Sequence, residues 1–133
     1  MKNHRKTFII HGAKIQDIET FFEEVNDVFM ADEDWKLGQS LDAFDDMLYR
    51  SYGKINKDEA IEIIWKDIDL SENVLGLETT RLFYKKKLSQ PEIFDIKLIN
   101  ENIENLTNGI GKTYFEIIIE IIEAHSNILL IKQ

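Results

Sequence analysis

The chain has 133 residues, 44% hydrophobic and 31% charged, with one proline and no cysteine. That length suits one domain, and the missing cysteines exclude a disulfide scaffold, a cysteine zinc site and a thiol nucleophile. The net charge of −9 argues against direct nucleic-acid binding, and no apolar run approaches the ~20 residues a membrane span needs.

Taken in chain order, Thr7-Phe8-Ile9-Ile10-His11-Gly12 is a short apolar run closed by glycine, and it predicts a buried strand. Asp17 suits an N-cap, because its carboxylate can accept from the first free amides of a helix. Ile18, Phe21, Phe22, Val25, Val28 and Phe29 then form one apolar stripe, with Glu19, Glu23, Glu24 and Asp27 assigned to the opposite face. A polar connection runs from Asp32 to Gln39, and Ser40 offers the next N-cap. Leu41, Phe44 and Leu48 make the inner face of this second helix, while Asp42, Asp45, Asp46 and Tyr49 share another. Ser51-Tyr52-Gly53 is expected to break it. Ala60–Lys66, β-branched and aromatic, predicts a central strand. Thr79–Leu88 reads as a helix stopped by Pro91, Glu92–Leu98 as a short helix or strand, and Asn100–Asn108 as loop. Lys112–Ala124 predicts a largely buried helix, and Ile128–Ile131 a last strand. The expected fold is therefore α/β: three parallel strands at about residues 7–11, 60–66 and 127–132, packed against helices by long crossovers.

Few motifs point to catalysis. Gly109-Ile110-Gly111-Lys112-Thr113 ends like a phosphate loop, but Leu106 stands where its first glycine belongs and no strand precedes it. A calcium loop beginning at Asp32 would place Lys36 and Leu37 where an oxygen ligand and a glycine are required. His4, His11 and His125 lack ligand spacing, so His11 and His125 read as surface or capping residues. Asp42, Asp45 and Asp46 form a carboxylate cluster without a nucleophile–base pair, and their expected exposure offers no desolvation to separate their pKa values. Neither enzyme, metal site nor cofactor is expected.

The charge is unevenly placed. Residues 15–46 hold eleven acids and one base, Lys36, a net −10, while the remainder sums to +1. Either two exposed helix faces happen to be acidic, or the window meets a basic partner. With no base at i±3 or i±4 within that helix, the repulsion among Asp42, Asp45 and Asp46 is expected to be uncompensated in the free protein.

The stretch Trp35-Lys36-Leu37-Gly38-Gln39-Ser40-Leu41-Asp42-Ala43-Phe44-Asp45-Asp46-Met47-Leu48 resembles the signature of the barstar family, intracellular inhibitors of barnase-type ribonucleases. The order of elements agrees, with 67–108 as a longer insertion in one barstar-like domain, 1–133. The resemblance implies that the acidic helix and the turn before it plug a ribonuclease active site, carboxylates standing in for RNA phosphates. Gly38, Leu41, Asp42, Ala43 and Asp46 match the pattern. Asp46 would then be the central anion and Asp42 its flank. Lys36, Ser40 and Asp45 depart from the pattern, and Asn108 falls where the best-known member has an acid. Trp35 and Tyr49 could supply an aromatic contact. The implied partner surface is Trp35, Gly38, Ser40, Asp42, Asp45, Asp46, Tyr49 and Asn108. The expectation is a cytoplasmic inhibitor or immunity protein, monomeric when free, that binds a basic ribonuclease or nuclease toxin. The alternative is a non-inhibitory interaction module with another basic partner.

Overall fold

A computed structural model describes residues 5–49, 55 and 59–133. The expected break at Ser51–Gly53, and His4, lie outside the described residues. Strand β1 (Lys6–His11) leads through a single 3-10 turn (Gly12–Lys14) to helix α1 (Ile18–Phe29) and then α2 (Leu41–Tyr49). Strand β2 (Ile61–Lys66) follows, then helices α3 (Ile68–Val74), α4 (Leu77–Lys87), α5 (Ile96–Thr107) and α6 (Tyr114–Glu123), and strand β3 (Ile128–Lys132).

The sheet runs in the order β1-β2-β3 with both pairs parallel, Phe8 aligning with Ile63 and Leu130. This is the expected α/β fold. Side chains alternate across a strand, so Phe8, Ile10, Ile61, Ile63 and Trp65 share one face, and all five are buried. The helices gather their apolar stripes on that face: Phe21 stacks on Trp65 at 6.0 Å, Phe44 meets Phe21 edge-on at 5.6 Å, and Phe115 meets Trp65 at 5.7 Å. The other face, with Ile9, Ile64, Leu129 and Ile131, is only partly covered.

Two corrections fall in the second half. Asn100–Asn108 is not a loop but most of α5, and α3 was not anticipated. The many asparagines and glutamates of α5 hide a sparse apolar stripe, of which Ile99 and Leu106 are buried; α5 packs on α4, so tertiary contact outweighs weak helix propensity. The Gly109–Thr113 loop is consumed by capping. Ile110 and Gly111 N–H groups donate to the Asn105 carbonyl, Gly109 takes φ +76°, and Thr113 caps α6 reciprocally with Glu116.

Close approach fixes Gly12. A Cβ there would lie 2.4 Å from the Lys66 carbonyl oxygen and 2.5 Å from that of Asp67, both backbone atoms that cannot step aside. Gly12→Ala is therefore expected to destabilise the fold by roughly 1–3 kcal/mol in denaturant titration. The same corner satisfies the buried indole, since Trp65 Nε1 donates to Ser71 Oγ at 2.9 Å.

Asp17 caps α1 as expected, accepting from Thr20 N at 2.8 Å while Thr20 Oγ1 accepts from Asp17 N. The backbone hydrogen bond from Thr20, then the Thr20 hydroxyl, holds the Asp17 carboxyl below its ordinary value of 3.8. A lowered folded-state pKa contributes stability above the unfolded value, lost as pH falls through the folded one. Asp17→Ala should thus cost about 0.5–2 kcal/mol near neutrality. Melts across acid pH should show that deficit shrinking as the pH drops below 3.8.

Candidate functional site

The turn before α2 is tied to α1 by one side chain. Asn26 Nδ2 donates to the Leu37 carbonyl at 3.1 Å and Leu37 N donates to Asn26 Oδ1 at 2.7 Å. With Leu37 buried, Trp35 and Gly38 are held at the surface beside α2. Ser40 caps the helix, its Oγ accepting from Ala43 N at 3.2 Å. Phe44, Met47 and Leu48 are buried and hold the inner face against the core.

The opposite face points outward. Asp42, Asp45 and Asp46 are all exposed, as are Tyr49 and Trp35. Asp42 lies in the first turn, where the helix dipole favours an anion; Asp45 and Asp46 lie beyond it.

The expectation of uncompensated repulsion fails for Asp45. His125, just past α6, places Nε2 at 2.7 Å from Asp45 Oδ1, with its side chain only 9% exposed. The carboxylate accepts, so the ring is assigned as donating its Nε2–H. His125 is therefore more than a surface or capping residue, whereas His11 is exposed at the end of β1 as expected and also bonds Glu24. Glu24, expected on the polar face, is buried at 3% and receives both His11 N and His11 Nδ1. Neither pair is legible locally, since Asp45 and His125 stand 80 residues apart. Asp45→Asn should consequently leave stability unchanged or lower it by up to ~1 kcal/mol, rather than raise it, in melts of the free protein.

Asn108 lies elsewhere. It closes α5, donating to the Glu104 carbonyl, and precedes α6, whereas the residue reaching α2 follows α6. Among the described residues, no hydrogen bond or ion pair joins Asn108 to α2. The remaining seven proposed partner residues fall on α2 or the turn before it.

An acidic face on a helix packed into the core can engage cations. The barstar sequence pattern, described as barstar (barnase inhibitor), matches residues 5–83, more than half of the chain. The chain belongs to the barstar family. The match runs from β1 through α1, α2 and β2 into α4, so the acidic helix lies inside it, as do α3 and the start of the stretch read as an insertion. The barstar family is one of inhibitors, not of enzymes. Comparison with curated proteins and with solved structures gave no match. No helix among the described residues is long and apolar enough to cross a membrane.

Proposed function

We propose that this barstar-family chain inhibits a basic ribonuclease by seating α2 and the turn before it in the enzyme's active site. The observation that carries this reading is the exposed row Asp42, Asp45 and Asp46 on a helix whose other side is fixed in the core. A ribonuclease cleft is built to hold phosphates among cationic groups. Rigidly presented carboxylates can occupy those positions without a scissile bond. The acidic window of residues 15–46 would steer a basic enzyme inward, and close charge pairs would then slow its release. Ser40 and Gly38 set the start of the helix, and Trp35 and Tyr49 offer rigid aromatic area at its two ends.

In this reading the chain acts in the cytoplasm, is monomeric until it meets the enzyme, and uses neither metal nor cofactor. The whole chain works as one domain. Residues 67–108 are an elaboration in this reading, and of these Lys86, Lys87, Gln90 and Phe94 line one pocket with Gln39 of the turn before α2.

The test is RNA cleavage by barnase, and by basic ribonucleases retained on the immobilised chain, with and without added protein. One-to-one inhibition that weakens with salt is the expected result. A retained ribonuclease that stays fully active in the complex would overturn the inhibitory reading and leave an interaction module.

A further inference from the structure

Between the start of α1 and the end of α4 runs a groove of about 660 Å³. One wall, Asp17 and Glu19 with Gln39 from the turn before α2, lies inside the family match; the other, Lys86 and Lys87, lies past its end at residue 83. Ile18, Leu82, Phe83 and Phe94 supply the apolar lining, and Leu82 is exposed. A cation in the last turn of a helix is favoured by the dipole, which accounts for lysines here but not for the seat of Lys87. Its Nζ stands 4.2 Å from the centre of the Phe83 ring and 5.0 Å from that of Phe94. Phe83 is held in turn by buried Tyr114 of α6, edge-on at 5.1 Å. Burial lowers the Lys87 amine from its ordinary pKa of 10.5, so this ammonium has already shed part of its water. Among the described residues, neither Lys86 nor Lys87 forms an ion pair. On the facing wall, Asp17 Oδ1 is occupied by the amide and the hydroxyl of Thr20.

We infer that this groove receives an acidic loop of the partner ribonuclease, its carboxylate meeting Lys86 and Lys87 while a neighbouring apolar side chain lies on Leu82 and Phe94. The inference rests on the inhibitor reading for the identity of the partner, but the chemistry of the groove stands apart from it. Gln39 belongs both to the groove and to the turn before α2, so an enzyme seated on that turn already touches the groove's edge. The acidic window attracts any basic ribonuclease and separates one from another poorly. The two lysines reverse the sign at its border. An enzyme that is basic there too is repelled, whereas one with a carboxylate there pairs with an ammonium that is positioned and partly desolvated in advance. Selectivity among basic enzymes thus falls to residues outside the family match. Because Glu19 keeps the α1 wall acidic, the fitting loop carries a base toward α1 and its acid toward α4.

NMR titration of the whole chain with N-acetyl-Lys-Leu-Glu amide, beside N-acetyl-Lys-Leu-Gln amide, tests the groove with no nuclease present. The two peptides differ in one carboxylate. Saturable shifts confined to Ile18, Gln39, Leu82, Phe83, Lys87 and Phe94 are the expected result, with the glutamate peptide bound about three-fold tighter. Lys87→Met keeps the stem against its rings but removes the charge, and should abolish that preference, while Lys87→Arg should retain it. Lys86→Met, an exposed substitution, should reduce it. Lys85→Met, exposed and outside the lining, should leave it unchanged. Shifts spread along α1 and α2, no preference for glutamate, or an equal loss at Lys85 would overturn the proposal. In the complex the sign of the effect decides. Beside an acidic window, removing a lysine tightens the hold on a basic enzyme if charge acts only as a diffuse field. Against a ribonuclease retained and inhibited by the chain, Lys86→Met and Lys87→Met should instead weaken inhibition about five-fold, and Lys85→Met should not. Tightening by all three would overturn the groove and leave the inhibitor reading standing. Peptide binding in the groove by a chain that inhibits no ribonuclease would sink the inhibitor reading alone.

Discussion

Asp46→Ala is expected to weaken binding to the cognate ribonuclease by roughly 2–5 kcal/mol, about thirty-fold to several-thousand-fold in Kd. That range is the general one for truncating a desolvated interfacial charge pair, barnase–barstar complexes among its sources, and is not specific to this chain. The reason for singling out Asp46 is its position. It matches the family pattern, faces solvent, and stands on the same turn as buried Phe44 and Met47, so its backbone is fixed before the partner arrives. Glu19→Ala and Glu23→Ala remove exposed carboxylates from α1, one helix away. A charge at the rim of an interface acts mainly through long-range attraction. These variants should therefore slow association slightly and lose most of their effect at high salt, where the Debye length falls to about 3 Å at 1 M. Calorimetry and stopped-flow association at two salt concentrations would separate the two behaviours. Equal small losses at Asp46, Glu19 and Glu23 would mean that the acidic window acts only as a diffuse field.

The sheet and the acidic helix were legible because each rests on a local pattern. Ile61, Ile63 and Trp65 alternate inward along β2, and Asp17 and Ser40 announce the helices that follow them, so period and cap chemistry sufficed. The signature around Leu41-Asp42-Ala43 carried the family. The side-chain pairs that escaped have no local signal. Glu24 sits beside Glu23 in sequence and looks equally polar, yet α1 turns it beneath the end of β1, where His11 supplies its hydrogen bonds. The same applies to Asp45, which its own helix leaves unpaired and which a residue past α6 completes. In α5 the signal was present but outweighed by the asparagines and glutamates around it: Asp95 caps the helix, and Ile96, Ile99, Ile103 and Leu106 recur at i, i+3, i+7 and i+10.

Phe44→Ala is expected to destabilise the free protein by about 3–5 kcal/mol, a large part of the 5–15 kcal/mol a domain of this size commonly has. Phe44 is fully buried and meets Phe21 at 5.6 Å, which in turn stacks on Trp65 of the central strand. The ring thus joins α2 to α1 and to the sheet, and its loss leaves a cavity that three elements would have to close together. Phe44→Leu keeps most of the volume and should cost less than about 1.5 kcal/mol. The pair of variants bears on function as well as stability. Asp42 and Asp46 lie on the outer side of α2 and Asp45 is bonded to His125, while the fully buried inner contact at Phe44 and Met47 carries most of what holds the helix in one position. Phe44→Leu should then bind the partner nearly as the parent does. Phe44→Ala, measured below its melting temperature, should bind more weakly with a larger unfavourable entropy, because α2 must be ordered on binding. Unchanged affinity in a clearly destabilised Phe44→Ala protein would show that the acidic face does not depend on a preset helix, and that its carboxylates find their places only in the complex.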